Sequence, residues 1–147
     1  MAIFRSTNIT AINAQALTDT VAYAANTVNI EGSSDVTVLV TYLTGAAETN
    51  NILHLKFKTA SAQRSTTTGQ IVETDLYDMT LGSASGGVVT LEDADYKITG
   101  AAAATTYKKS FPIQLQDCLL SIGVYEEGVA ANPGTVTVKL IIVNKYQ

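Results

Sequence analysis

The run "DVTVLVTYL", residues 35–43, decides the fold class, because its side chains sort onto two faces at every second position. Val36, Val38, Val40 and Tyr42 point one way, and Thr37, Leu39, Thr41 and Leu43 the other. That is the two-residue period of a strand and not the 3.6-residue period of a helix. The first set is the expected core face. Downstream, "NILHLKFKT" (51–59) repeats the pattern with Leu53, Leu55 and Phe57 inward, so His54, Lys56 and Lys58 are expected on a wet face.

Working outward, the same alternation recurs in "DTVAYA", "NTVNIE", "QIVETDLYDM", "GVVTL", "DYKIT", "TTYKKSFPIQL", "CLLSIGVYEE" and "GTVTVKLIIVNKY". Turn residues separate these segments, and none carries a helical stripe. The pattern predicts an all-β, antiparallel β-sandwich, jelly-roll-like, of about nine or ten strands. "GAAAATT" (100–106) is too short for a stable helix and reads as a connection. Pro112 marks its strand as an edge or a bulged one, since proline donates no ladder hydrogen bond. In "LGSASGGVV", Gly82, Gly86 and Gly87 supply a flexible turn.

A chain of 147 residues is the size of one domain. Two parts are expected, an N-terminal arm over 1–17 and a single sandwich over 18–147. Only 15% of residues are charged, so Thr, Ser, Asn and Gln must supply the polar surface. The net charge of -4 and the scattered basic residues argue against nucleic-acid binding. No apolar run reaches the length of a membrane span or a secretory signal, which points away from the membrane. The Asn8 sequon carries little weight without such a signal.

"YLTGAAETNNILHLKF" (42–57) and "YEEGVAANPGTVTVKL" (125–140) resemble each other. Matching Tyr42 with Tyr125 also pairs Gly45 with Gly128, Ala47 with Ala130, Leu53 with Val136, Leu55 with Val138 and Phe57 with Leu140. Each copy reads as a hairpin whose first strand ends on a Tyr that closes the core and sends its hydroxyl to water. The two loops are expected at one end of the sandwich, with Gly45, Ala46, Ala47, Gly128, Val129 and Ala130 as candidate contacts.

Catalytic chemistry is sparse. Cys118 stands alone and reads as a small buried hydrophobe, and a triad would have to be built on His54, which the alternation sends outward. Glu73, Asp75 and Asp78 read as a solvated face. Glu92, Asp93 and Asp95 are oxygen donors close enough in sequence for Ca²⁺, but a turn that uses Asp before a strand explains them more simply. No enzyme activity and no cofactor are expected. A sugar-binding face would rest on Tyr77, Tyr96, Tyr107 and Tyr146, since there is no Trp.

A small, Thr/Ala/Gly-rich, nearly Cys-free, all-β chain with an N-terminal arm resembles the auxiliary virion proteins of tailed bacteriophages, which are head decoration (cement) and minor tail or neck proteins. "TGAAETNN" and "GVAANPGTV" are the loops that carry the likeness. The resemblance implies a non-enzymatic virion protein assembled in the host cytoplasm, contacting itself as a homo-oligomer, with a trimer as one form, and a major capsid protein. Ile3, Phe4, Ile9, Ile12 and Leu17 are the expected apolar anchors of an arm that straps a neighbour's strand edge. The other placement folds the arm back over its own sandwich. The competing functions are a carbohydrate- or cell-surface-binding module and a subunit of an extracellular filament.

Overall fold

The structure, a computed structural model, describes residues 3–61, 63–64, 66–68, 71–72, 76–113, 118–128 and 131–146. In chain order the strands are β1 (Ile3–Ala16), β2 (Ala22–Tyr23), β3 (Val28–Asn29), β4 (Ser33–Leu43), β5 (Asn51–Ser61), β6 (Gln63–Arg64) and β7 (Ile71–Val72). They continue with β8 (Tyr77–Asp78), β9 (Thr80–Ser85), β10 (Val88–Asp93), β11 (Asp95–Gly100), β12 (Thr106–Ile113), β13 (Cys118–Glu127) and β14 (Thr135–Tyr146).

Two antiparallel sheets hold most of them. The first has the order β1-β14-β4-β12. The second has the order β11-β5-β13-β2, with β3 also on β13 and β8 also on β5. The two sheets are those of the all-β antiparallel sandwich expected from sequence. The segment 101–105 carries the chain from β11 back to β12, and β12 with its Pro112 is an edge strand.

The alternation of β4 lines one wall of the core, since Val36, Val38, Val40 and Tyr42 are all buried. Val136, Val138, Leu140 and Ile142 of β14 continue that wall. Leu53, Leu55 and Phe57 of β5 and Leu120, Ile122 and Val124 of β13 face it from the other sheet, and all of these belong to one hydrophobic cluster. Fully burying one such side chain stabilises by about 1.5–3 kcal/mol, so these facing rows dominate the fold.

Residues 3–16 lie along the chain's own sandwich, the second of the two placements open to the N-terminal arm. They pair antiparallel with β14 from Ile3↔Tyr146 to Ala16↔Thr135. The register slips by one residue between Thr10 and Ile12 and again between Ile12 and Gln15. These are β-bulges, and each reverses which residues face inward. Ile9 and Ile12 are three apart and could not share a face on a regular strand. The first bulge lets Ile12 enter the core and Ile9 pack against it. At the second bulge Ala14 takes a φ of 45°, and its N–H donates to Thr137 Oγ1 at 2.9 Å.

The two similar segments are not hairpins. β4 belongs to the first sheet and β5 to the second, while β13 belongs to the second and β14 to the first. Each unit is an arch that crosses between layers, and the arches interlock because β4 pairs β14 and β13 pairs β5. Exchanging one arch for the other preserves the pairing: Tyr42↔Val136 becomes Glu126↔Leu53. The four central strands therefore have pseudo-two-fold symmetry.

Candidate assembly surfaces

The arch loops meet at one end of the sandwich, as expected, but they hold each other. A Cβ placed on Gly45 would lie 1.7 Å from the Asn132 carbonyl oxygen, so only glycine fits there. Glu48 Oε1 accepts from the backbone N–H groups of Ala131 at 2.8 Å and Asn132 at 3.1 Å. Thr44 Oγ1 donates to the Ala102 carbonyl at 2.7 Å, and the Ala104 N–H donates to the Gly45 carbonyl at 2.9 Å. Gly45 is thus buried, while Ala46, Ala47 and Gly128 are exposed. Val129 and Ala130 lie outside the described residues.

Beneath the loops sits a buried polar cluster that sequence reading missed. The Tyr42 hydroxyl does not reach water. It donates to Glu126 Oε1, which also accepts from Asn51 Nδ2 at 3.3 Å. Glu126 Oε2 accepts from the Gly134 N–H at 2.8 Å. Tyr42 and Glu126 are both fully buried and occupy equivalent places in the two arches. Burial, and then the bond to Glu126, push the Tyr42 hydroxyl pKa far above its ordinary value. Three donors on one carboxylate make this a satisfied structural tie between the sheets.

His54 corrects a second expectation. It does face away from the core, yet only 2% of it is exposed. Its Nδ1 lies 2.8 Å from Asp95 Oδ2, and its Nε2 lies 2.8 Å from Glu127 Oε2. The ring stacks on Tyr125 with centroids 4.3 Å apart. Carboxylates only accept, so both contacts are hydrogen bonds when both ring nitrogens carry protons. Burial first, and the Asp95 charge second, raise the Tyr125 hydroxyl pKa above its usual value. Flanking strands β11 and β13 bring these partners over His54, and nothing in the local alternation reveals that adjacency. Both ring nitrogens are engaged, so the imidazole is held in place with neither nitrogen directed at an open cavity.

Asp95, the best placed of the calcium candidates, faces His54. Among the described residues no three His, Cys, Asp or Glu side chains gather in a way that could hold a metal ion. Cys118 opens β13, and Glu92 and Asp93 end β10 beside Thr80 and Leu81 of β9. Glu73 and Asp75 lie outside the described residues. No helix among the described residues is long and apolar enough to cross a membrane.

The sheet edges differ in how far they invite pairing. β12 carries Lys108, Lys109 and Pro112, which blunt an edge by charge and by a missing donor. β2 and β3 have two residues each, and β11 has six. β1 has 14, and its bulges fall in the C-terminal half. Over Ile3–Thr10 the pairing with β14 is regular, and Arg5, Ser6, Thr7 and Asn8 are all exposed. That half runs along the rim of the first sheet, and Arg5 is its one charged residue. Of the expected anchors, Ile12 and Leu17 are buried in the core. Ile9 packs against it.

Among the concave regions of the described residues, one of about 570 Å³ lies between residues 9–15 of β1 and residues 24–29. A groove on the outer face of the first sheet is lined by Leu39 and Thr41 with Lys108 and Lys139. A cleft of about 470 Å³ opens between edge strands β11 and β12, walled by Tyr96 and Ile98 on one side and Tyr107 and Phe111 on the other. Tyr96 and Phe111 stack at 4.5 Å. Of the tyrosines considered for a sugar face, Tyr77 is 71% exposed, while Tyr96 and Tyr107 pack against the core.

No family model matches the chain, and no curated protein does. Among solved structures it is similar to a protein of the Bacillus endospore appendages, described as a novel family of disulfide-linked pili. The identity is 13%, the match covers 99% of this chain and 88% of that one, and the TM-score is 0.36. A likeness at that score bears on neither function nor partners.

Proposed function

We propose that this chain is a non-enzymatic structural subunit that associates with copies of itself through the free edge of β1. The observation that carries the reading is the regular run Ile3–Thr10, exposed at Arg5, Ser6, Thr7, Asn8 and Thr10, at the rim of a sheet whose opposite rim, β12, is guarded by two lysines and a proline. An unpaired row of backbone N–H and C=O groups is a template for another strand. Edge addition is favoured over an arm that leaves to strap a neighbour. Detaching β1 would expose Ile12 and Leu17, at about 1.5–3 kcal/mol for each side chain, besides breaking its ladder with β14.

The finer reading keeps to the sequence resemblance: a decoration protein cementing a phage-like shell, made in the host cytoplasm. A filament subunit is the other form of the same role. The two differ in whether the pure chain polymerises without a template.

The test is sedimentation of the pure protein over a concentration series beside Ser6→Lys with Asn8→Lys, which copies onto β1 the charge guard of β12. Both positions are exposed, so the melting temperature should move by no more than about 2 °C. Loss of the larger species in the variant supports the reading. Equal assembly of variant and wild type rules out the β1 edge.

A further inference from the structure

The basic residues are scattered along the sequence, and the fold gathers them. Of the chain's nine, Arg5, Lys108, Lys109, Lys139 and Lys145 lie on the four strands of the first sheet, whose one acidic residue is Asp35. A chain of net charge -4 thus carries one basic sheet. Lys108 and Lys139 flank the groove of about 580 Å³ in its outer face, and Lys109 joins the lining at the rim. Lys108 pairs with Thr41 on one side of β4, and Lys139 pairs with Leu39 on the other. With strands about 4.8 Å apart and a rise of about 3.4 Å per residue, the backbones of Lys108 and Lys139 stand about 12 Å apart across the groove. All three lysines are exposed, and none makes an ion pair among the described residues. Asp35 is four residues from Leu39 along β4, about 14 Å away. Three uncompensated ammonium groups around one concave surface raise a local positive potential that an anion relieves.

The rest of the lining says which anion. Thr41, Ser110 and Thr137 contribute hydroxyls and Asn13 an amide. Thr137, whose oxygen accepts from the Ala14 N–H, keeps its own O–H to donate. Such groups exchange hydrogen bonds with a polyhydroxylated ligand as they do with water. A nucleic acid calls for arginine forks and aromatic stacking surfaces, and an acidic peptide for apolar pockets. The lining has no arginine and no aromatic ring, and Leu39 is its one outward apolar side chain.

We propose that this groove binds an anionic polysaccharide, with Lys108 and Lys139 meeting separate charged sugars and Thr41, Ser110 and Thr137 meeting sugar hydroxyls. Ammonium groups held apart suit charges repeated along one polymer, because each contact made raises the effective concentration of the next. The site goes beyond the assembly reading and does not depend on it, since it uses the face of the first sheet and not the β1 edge.

The test is titration of the full chain with oligogalacturonate and with dextran sulfate, which carry carboxylate and sulfate respectively, beside neutral dextran, poly-glutamate and single-stranded DNA. At least one anionic polysaccharide should bind saturably at low salt and more weakly as salt rises, while neutral dextran should not bind. Lys108→Gln with Lys139→Gln, at two exposed positions, should weaken that binding at least about tenfold. Lys56→Gln with Lys58→Gln removes the same charge from the second sheet and should leave binding as it was. Thr41→Val with Ser110→Ala keeps every charge and should weaken polysaccharide binding about threefold. Equal loss from the two lysine pairs, or poly-glutamate or DNA bound as tightly as the polysaccharide, means attraction to charge alone and overturns the proposal. Failure of both anionic polysaccharides to bind at low salt overturns it as well.

Discussion

Tyr42 and Glu126 show how far one residue of register matters. The ungapped match of Tyr42 with Tyr125 places one tyrosine in the core and the other on the outer face of its sheet, because a one-residue shift along a strand turns every side chain over. The true counterpart of Tyr42 is Glu126, and a carboxylate at a core position has no apolar signature to announce it. His54 was equally opaque. Alternation gave its face correctly, but exposure depends on Asp95 and Glu127 from neighbouring strands. A pH prediction follows from the Tyr42 hydroxyl. Its pKa is raised in the fold above the unfolded value of 10.0, so its stabilising effect is complete below pH 10. Above that the unfolded chain loses a proton that the folded one keeps, and stability falls as pH rises. Urea titrations between pH 8 and 11.5 should show Tyr42→Phe to be less stable by about 1.5–3 kcal/mol at pH 8, with the gap narrowing toward pH 11.5. A constant gap would mean that Tyr42 ionises alike in both states.

Strand existence and strand faces were legible where alternation was long, as in β4, β5, β13 and β14. β1 was not, because "IFRSTNITAINAQA" carries two bulges and so keeps no single period. An extended arm was the natural reading of a segment whose apolar residues, Ile9 and Ile12, fall on opposite faces of a regular strand. Its bulges also yield a test. Deleting Ala11 removes the extra residue that the first bulge accommodates, leaving Ile9 and Ile12 two positions apart and both still inward. Thermal melts should show a loss of only about 1–2 kcal/mol for the missing half-buried methyl and its contacts. Deleting Leu39 from the regular β4 turns Val36 and Val38 out of the core and should abolish cooperative unfolding. Equal damage from the two deletions would contradict the bulge assignment.

For the whole molecule, the sequence announced a sandwich and even the meeting of its two arch loops, through the shared spacing of Tyr42, Gly45 and Ala47 with Tyr125, Gly128 and Ala130. It did not announce that the arches cross between layers, because alternation gives faces and not partners; what pairs with what is fixed by contacts such as Val38 with Leu140, far apart in the chain. The β1-edge proposal shares that limit, since a sheet rim exists only once strand order is known. The pairing of Ile3 with Tyr146 has a mechanical consequence. Both chain ends leave the same corner on adjacent antiparallel strands, so a pull between them opens the β1–β14 ladder one rung at a time, like a zip. A pull between the Ala47 loop and the C-terminus instead loads the β4–β14 ladder lengthwise and strains its rungs together. Single-molecule stretching should therefore give a lower peak force from the termini than from handles at Ala47 and Gln147, and any assembly under tension would be sturdier if it passed load from loop end to terminal end than through the two termini.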